Sequence, residues 1–418
     1  MKFKKFFNIL GPGLLYAGAA VGVSHLVQST RAGASYGFYL VWILIIANII
    51  KYPFFEFAPR YASATSKSLI SGYEKLGKWA IILFSILTIT TMFAIQAAVT
   101  LVTAGLVAYV FDFSVNIIII CGFILGITMV VLIFGKYSIL DTIIKFVIVT
   151  LALSTIVAVC FSFGINLEIK PDFITQFSWE RSIDIAFLFA FVGWMPAPLD
   201  VSVWHSLWTV AKKKETKVKV SLKESLLDFR IGYIGTAFLA LGFLTLGALV
   251  MFGSGEQLSP VGCIFAEQFI NMYTISLGKW AYLLIAIAAL TTMLSTTLTC
   301  LDAYPRVLKP LTEALITPLR KSNKNNLWLS WAWLVILVVG TLLLIGLFTS
   351  SMRFMVDLAT TLSFVTAPFF AIMNYKVVTN KHMPKEARPK KWLRIYAIIC
   401  IVILTAFTLF YIGWKFVF

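Results

Sequence analysis

The residues most able to do chemistry in this sequence sit where two long apolar runs lose their helical pattern. One run reads Val192-Gly193-Trp194-Met195-Pro196-Ala197-Pro198-Leu199-Asp200, with His205 one turn further on. Two prolines two residues apart remove two backbone donors and clash with the preceding turn, so a continuous helix is not expected there. The other run reads Ala17-Gly18-Ala19-Ala20-Val21-Gly22-Val23-Ser24-His25-Leu26. A carboxylate, an imidazole and a thioether are metal ligands, and the first two also carry protons. Asp200, His25 and Met195 are therefore candidate metal ligands, and His25, Asp200 and His205 are candidate proton carriers. Asp200 has no basic residue within four positions along the chain, so nothing local neutralises it.

Other ionisable residues interrupt the apolar runs as well. Asp141 and Lys145 are spaced i, i+4, as are Arg353 and Asp357, a spacing that predicts local neutralisation on a helix face. Lys51 and Glu56 share a third run. Each such group costs about 2.5 kcal/mol or more at the centre of a membrane helix, so each needs a partner.

The elements that position these residues follow from composition. The chain has 418 residues, 60% hydrophobic and 13% charged, with mean hydropathy +0.91. The excess arrives in blocks of roughly 20–30 apolar residues, long enough to cross about 30 Å of hydrocarbon as helices. They lack the strict alternation of a spanning barrel. Spans are predicted at about 9–33, 37–62, 78–110, 115–134, 138–163, 182–211, 227–253, 279–302, 327–350, 354–377 and 392–416. The N-terminal segment superficially resembles a signal peptide, but its Gly11-Pro12-Gly13 helix start and the ten spans after it favour a retained first span.

With the N-terminus inside, the inner segments hold 27 Lys and Arg and the outer segments 6. That asymmetry predicts a multi-pass protein of the cell membrane, N-terminus cytoplasmic and C-terminus outside. The net charge of +17 is thereby explained by orientation, with no nucleic-acid partner. The five cysteines are scattered and read as small apolar residues. No metalloprotease motif, paired catalytic acids or nucleophile with a placed base is found, so no enzyme and no cofactor are expected. The expected partners are a transported ion or small solute and the lipid bilayer.

Broken backbone at bilayer depth is tolerated where it lines a cavity, and paired interruptions in two halves of a chain point to a midplane site between inverted repeats. The expectation is a single membrane domain over 1–418. A five-helix repeat at 9–163 and a second at 182–377 would be followed by an additional helix at 392–416.

Gly11-Pro12, Gln28-Ser-Thr-Arg-Ala32-Gly33-Ala-Ser-Tyr36-Gly37 and Leu40-Val-Trp42 resemble the first helices of the Nramp divalent-metal transporters. Met195-Pro196 is similar to that family's Met-Pro-His motif, and His205-Ser206 to the His-Ser that follows it. The resemblance implies an all-α LeuT-like fold of eleven helices, a 5+5 inverted repeat plus one helix, with helices 1 and 6 broken. It implies Mn²⁺ or Fe²⁺ moved with protons. The family's metal ligands are Asp and Asn of an Asp-Pro-Gly-Asn break, a helix 6 Met and a helix 10 Gln. Here the Asp falls on Gly22, the Asn on His25 and the Gln on Thr360. The Met falls on Met195 if Met-Pro is the anchor. If His-Ser is the anchor, it falls on Pro198 and the first motif His falls on Asp200. The helix 3 acidic positions fall on Val99 and Val102.

The substrate-binding candidates are thus Gly22, Ser24, His25, Val192, Met195, Asp200 and Thr360. The leading expectation is a secondary active transporter of a divalent metal ion through a non-standard site, with Asp200 replacing the missing carboxylate and possible proton coupling. The alternative is a transporter of a small organic or other non-metal solute on the same fold, with Gly22 opening room and Trp194 and Thr360 lining the pocket.

Overall fold

Apolar runs with few helix breakers become helices, and where Pro or Gly interrupts them the helices end or bend. The computed structural model of the protein describes residues 11–134, 137–165, 170, 174, 176–216, 221–316, 326–348 and 351–417. Side chains at 134–148, 214–216 and 416–417 fall outside that description. No strand occurs among the described residues.

The helices are α1 (Pro12–Ala20), α2 (a π turn over Ser24–Ser29 running into Thr30–Tyr36), α3 (Val41–Thr65), α4 (Leu69–Leu76) and α5 (Lys78–Val110). They continue as α6 (Ile117–Phe134), α7 (Tyr137–Ser162), α8 (Ser182–Trp194), α9 (Val201–Thr216) and α10 (Leu222–Val250). The last five are α11 (Gly262–Leu277), α12 (Ala281–Leu315), α13 (Leu327–Leu347), α14 (Met352–Thr379) and α15 (Lys391–Val417). Among the described residues seven helices are long and apolar enough to cross a membrane, namely α3, α5, α10, α12, α13, α14 and α15.

Both predicted breaks are present. Helix α1 stops at Val21, whose backbone is extended (φ −80, ψ 92), and α8 stops at Met195, also extended (φ −92, ψ 118). A residue before proline is pushed out of the α region, which accounts for Met195 ahead of Pro196. At α1 no proline acts, and the chain turns through Gly22.

Three helical features depart from the predicted spans. Helices α4 and α11 lie in segments expected to be loops. Helix α12 runs to Leu315, 13 residues past its predicted end, with Pro305 and Pro310 inside it. A proline within a long helix can bend it without ending it when neighbouring helices hold it. Helix α10 begins at Leu222, where Ser221 and Glu224 form a reciprocal capping box. That Ser-x-x-Glu signature precedes the apolar run in the sequence and marks the true start.

Packing places the broken segments at the centre. Helix α10 lies against α1, α2 and α3, α8 lies against α14, and α5 joins α12 to α14. The closest crossings use glycine. A Cβ on Gly33 would stand 1.9 Å from the Leu244 carbonyl oxygen, and one on Gly193 would stand 2.1 Å from that of Thr360. Helix α15 packs on α3 and α14 from outside this core.

Candidate functional site

The break between α8 and α9 is held at both ends by side chains of opposite charge. Lys51, fully buried on α3, donates to the carbonyls of Val192 (2.7 Å) and Gly193 (2.7 Å) in the last turn of α8. Its third bond goes to Ala197 within the break (3.3 Å). The last carbonyls of a helix have no partners inside it and carry the negative end of its dipole, so a cation there is stabilising. Asp200 stands immediately before α9, where the dipole is positive, and its carbonyl accepts from Val203 (2.8 Å). One carboxylate oxygen of Asp200 lies 3.4 Å from the Tyr304 hydroxyl, and the other has no partner among the described residues. The charges of Lys51 and Asp200 act on one another across the break.

The first break is closed by neutral groups. Ser24 donates to the Ala20 carbonyl (2.5 Å), and the Thr296 hydroxyl on α12 lies 3.4 Å from that of Val21. The room expected beside Gly22 is filled, because a Cβ there would lie 2.8 Å from the Thr296 side chain. His25 is fully buried, with Nε2 donating to the Thr236 carbonyl (2.9 Å) and Nδ1 paired with the Ser24 hydroxyl (2.7 Å). Both ring nitrogens have protein partners, so binding a metal through either requires giving one up. Met195 reaches α2, where its sulfur accepts from the Ser29 hydroxyl at 3.6 Å. Thr360 faces α2 from α14, and Gln28 donates weakly to it (3.4 Å), while the Gln28 amide oxygen has no partner among the described residues. Trp194 donates to Ser363 (2.8 Å).

His205 lies elsewhere. It is enclosed by the rings of Tyr16 (5.7 Å between centroids) and Phe229 (5.8 Å), and neither ring nitrogen has a hydrogen-bond partner among the described residues. Val99 and Val102 are buried on α5. The structure thus gathers Ser24 with His25, and Met195 with the α2–α14 face that holds Gln28 and Thr360. It sets Asp200 toward α12. Among the described residues no three His, Cys, Asp or Glu side chains are grouped as a metal centre.

One ion-pair expectation changes. Asp357 does not pair with Arg353 one turn before it. It pairs with Arg31 on α2 at 2.7 Å, and Arg353 donates to the Leu258 carbonyl. The outer part of α2 lies against α14, and an interhelical guanidinium outcompetes the i, i+4 neighbour. Asp141 and Lys145 lie on α7 in the stretch whose side chains fall outside the described residues. Glu56 pairs with Arg60 (2.5 Å) and Arg230 (3.6 Å) and accepts from the Tyr52 hydroxyl (2.6 Å).

Cavities open near α4 and near α11. At the α4 end a cavity of about 1060 Å³ is lined by Lys67, Lys75, Lys78, Leu207 and Leu315. At the α11 end one of about 360 Å³ is lined by Arg31, Arg181, Arg353, Asp184 and Glu256. The Arg31–Asp357 pair, with Arg31 4.4 Å above the Phe187 ring, separates the second cavity from Gln28 and Thr360. Arg31→Gln should raise the reactivity of a Thr360→Cys thiol toward an impermeant reagent applied at the α11 end. The gain should be about fivefold, the shift given by loss of a part-exposed pair worth roughly 1 kcal/mol. An unchanged rate would mean the pair does not close this path.

Sequence reasoning missed Lys51 as a site residue and missed the partnership of Arg31 with Asp357. The one available signal for Lys51 was a lone cation amid Ile and Phe, which demands a partner without saying which.

Residues 13–412 match the family described as natural resistance-associated macrophage protein-like. An uncharacterized protein of Pasteurella multocida is 37% identical over 415 residues, covering 98% of this chain and 93% of that protein. The solved structure of the Eremococcus coleocola manganese transporter, in complex with an aromatic bis-isothiourea compound, superposes with TM-score 0.70 at 13% identity, over 98% of this chain and 87% of that one. Mhp1, a nucleobase-cation-symport-1 family transporter with bromovinylhydantoin bound, superposes with TM-score 0.59 at 14% identity, over 97% and 93%. The architecture is therefore that of LeuT-fold transporters.

Proposed function

Because the chain belongs to the natural resistance-associated macrophage protein-like family, we propose that it is a secondary active transporter whose cargo is a small polar organic solute bearing N–H donors, bound between the breaks of the first and sixth spans. The observation that carries this reading is the Lys51 ammonium on the carbonyls that end α8. A divalent ion bound at this break would be repelled by that ammonium, whereas a neutral solute would not. Gly22 itself offers no carboxylate, so Asp200 would have to offset that repulsion, and His25 is already committed to Ser24 and Thr236. The Gln28 amide oxygen and one Asp200 oxygen are buried acceptors without a partner among the described residues, and acceptors call for donors on the cargo.

In this reading the eleven spans form repeats at 9–163 and 182–377 with 392–416 outside them. The protein sits in the cell membrane, N-terminus cytoplasmic and C-terminus outside, so the α4 cavity faces the cytoplasm and the α11 cavity the exterior. His25, Asp200 and His205 are the groups through which a proton gradient would couple.

A second reading is a divalent metal cargo of the manganese type held by His25, Met195 and Asp200. It is favoured by the family, by the Met195 thioether at the break and by the unpartnered oxygen of Asp200. Uptake into proteoliposomes of Mn²⁺, Mg²⁺ and an amino-acid panel, with and without a pH gradient, separates the two. The expected result is saturable organic uptake with no saturable metal uptake. Saturable Mn²⁺ uptake lost in Asp200→Asn would replace the first reading with the second.

A further inference from the structure

Lys51 makes three hydrogen bonds to three carbonyl oxygens, at 2.7, 2.7 and 3.3 Å. A neutral amine has two N–H groups and an ammonium has three, so this set of acceptors is satisfied by the charged form. The acceptors come from the last turn of a half-helix and from the unwound segment after it, and Asp200 lies within electrostatic reach. Carbonyl oxygens at a helix C-terminus together with a nearby carboxylate constitute a site for a weakly hydrated monovalent cation. The lysine enters it from α3, so the occupant is covalently tethered.

We propose that Lys51 is the resident occupant of a monovalent-cation site built into the broken helix, and that removing its ammonium lets a mobile cation such as K⁺, NH₄⁺ or a small alkylammonium bind there. The wild-type chain consequently needs no dissolved cation at this position. A lysine that served only to cap a helix would leave a damaged variant indifferent to which cation is present. The inference rests on the same lysine as the cargo reading, and it is tested without cargo, so each can fail while the other stands.

The test measures thermal unfolding of the purified full chain in detergent. Wild type, Lys51→Met and Lys51→Ala are compared at fixed ionic strength in choline, K⁺, NH₄⁺ and ethylammonium chlorides. Lys51→Met keeps most of the apolar stem and serves if the alanine variant does not fold. The expected result is a lowered Tm in choline and a saturable rise of about 2–4 °C with K⁺ or NH₄⁺ in the variants. Ethylammonium should act best on Lys51→Ala, where the vacated stem leaves room. Wild type should not respond, and Asp200→Asn added to either variant should remove the response. Variants that respond to these cations no differently from wild type would overturn the proposal.

Discussion

A Gly33→Leu chain should fail to accumulate as a folded membrane protein. A Cβ at this position would lie 1.9 Å from the Leu244 carbonyl oxygen and 2.8 Å from the Ala248 nitrogen, and neither is the tip of a side chain that can swing aside. The contact is reciprocal, since a Cβ on Gly247 would lie 2.4 Å from the Thr30 carbonyl oxygen. Helices α2 and α10 therefore meet backbone to backbone, the approach that small residues allow between membrane helices. Overpacking a core costs about 1–3 kcal/mol when side chains can yield. Here whole helices would have to separate, so a larger cost is expected. Gly346→Leu on α13, where a Cβ meets nothing within 4 Å, is the control and should be tolerated. Size-exclusion profiles and thermal unfolding in detergent provide the comparison. A monodisperse Gly33→Leu protein with wild-type Tm would show that the crossing is looser than described.

Asp228→Ala should release α1. The Asp228 carboxylate on α10 accepts from the backbone nitrogens of Gly11 (3.1 Å) and Gly13 (2.7 Å), at the end of α1 where helix donors are otherwise unmatched. Hydrogen bonds to a charged acceptor contribute about 1.5–3 kcal/mol each, and the two share one carboxylate, so a loss of about 2–4 kcal/mol is expected. Because α1 is a half-helix that ends at the break, the loss should be local. Amide hydrogen exchange over residues 12–20 should speed up by the corresponding factor while residues 281–300 of α12 keep their protection. Asp228→Asn retains one acceptor oxygen and should fall between. Equal protection of α1 in all three proteins would mean that packing against Gly232 alone secures it.

The two substitutions probe contacts that differ in how far they could be read from sequence. Gly33 sits in a run of small residues, which announces a close helix crossing without naming the partner helix. Asp228 sits at the start of an apolar run, just after a capping box, and nothing local indicates that its carboxylate serves a helix more than 200 residues earlier. His25 shows the same limit. Its place at the break was readable, while its engagement by Thr236 follows only from the way α10 lies along α2. Asp200 lacked any neighbour in sequence that could balance it, and in the fold a lysine from α3 reaches the same break.

Composition and periodicity by themselves determined that this chain is helical, that it spans a membrane and that it breaks near Gly22 and between Met195 and Asp200. Those outcomes depend on hydrocarbon transfer, on proline's missing donor at the second break and on glycine at the first, all of which act within one helix or one turn. Only the tertiary structure decided that Lys51 closes the end of α8, that Arg31 takes Asp357 from Arg353 and that Thr296 fills the space beside Gly22. Charges and packing vacancies in a low-dielectric interior are satisfied by whichever group is nearest in space, and nearness in space is set by how the helices cross.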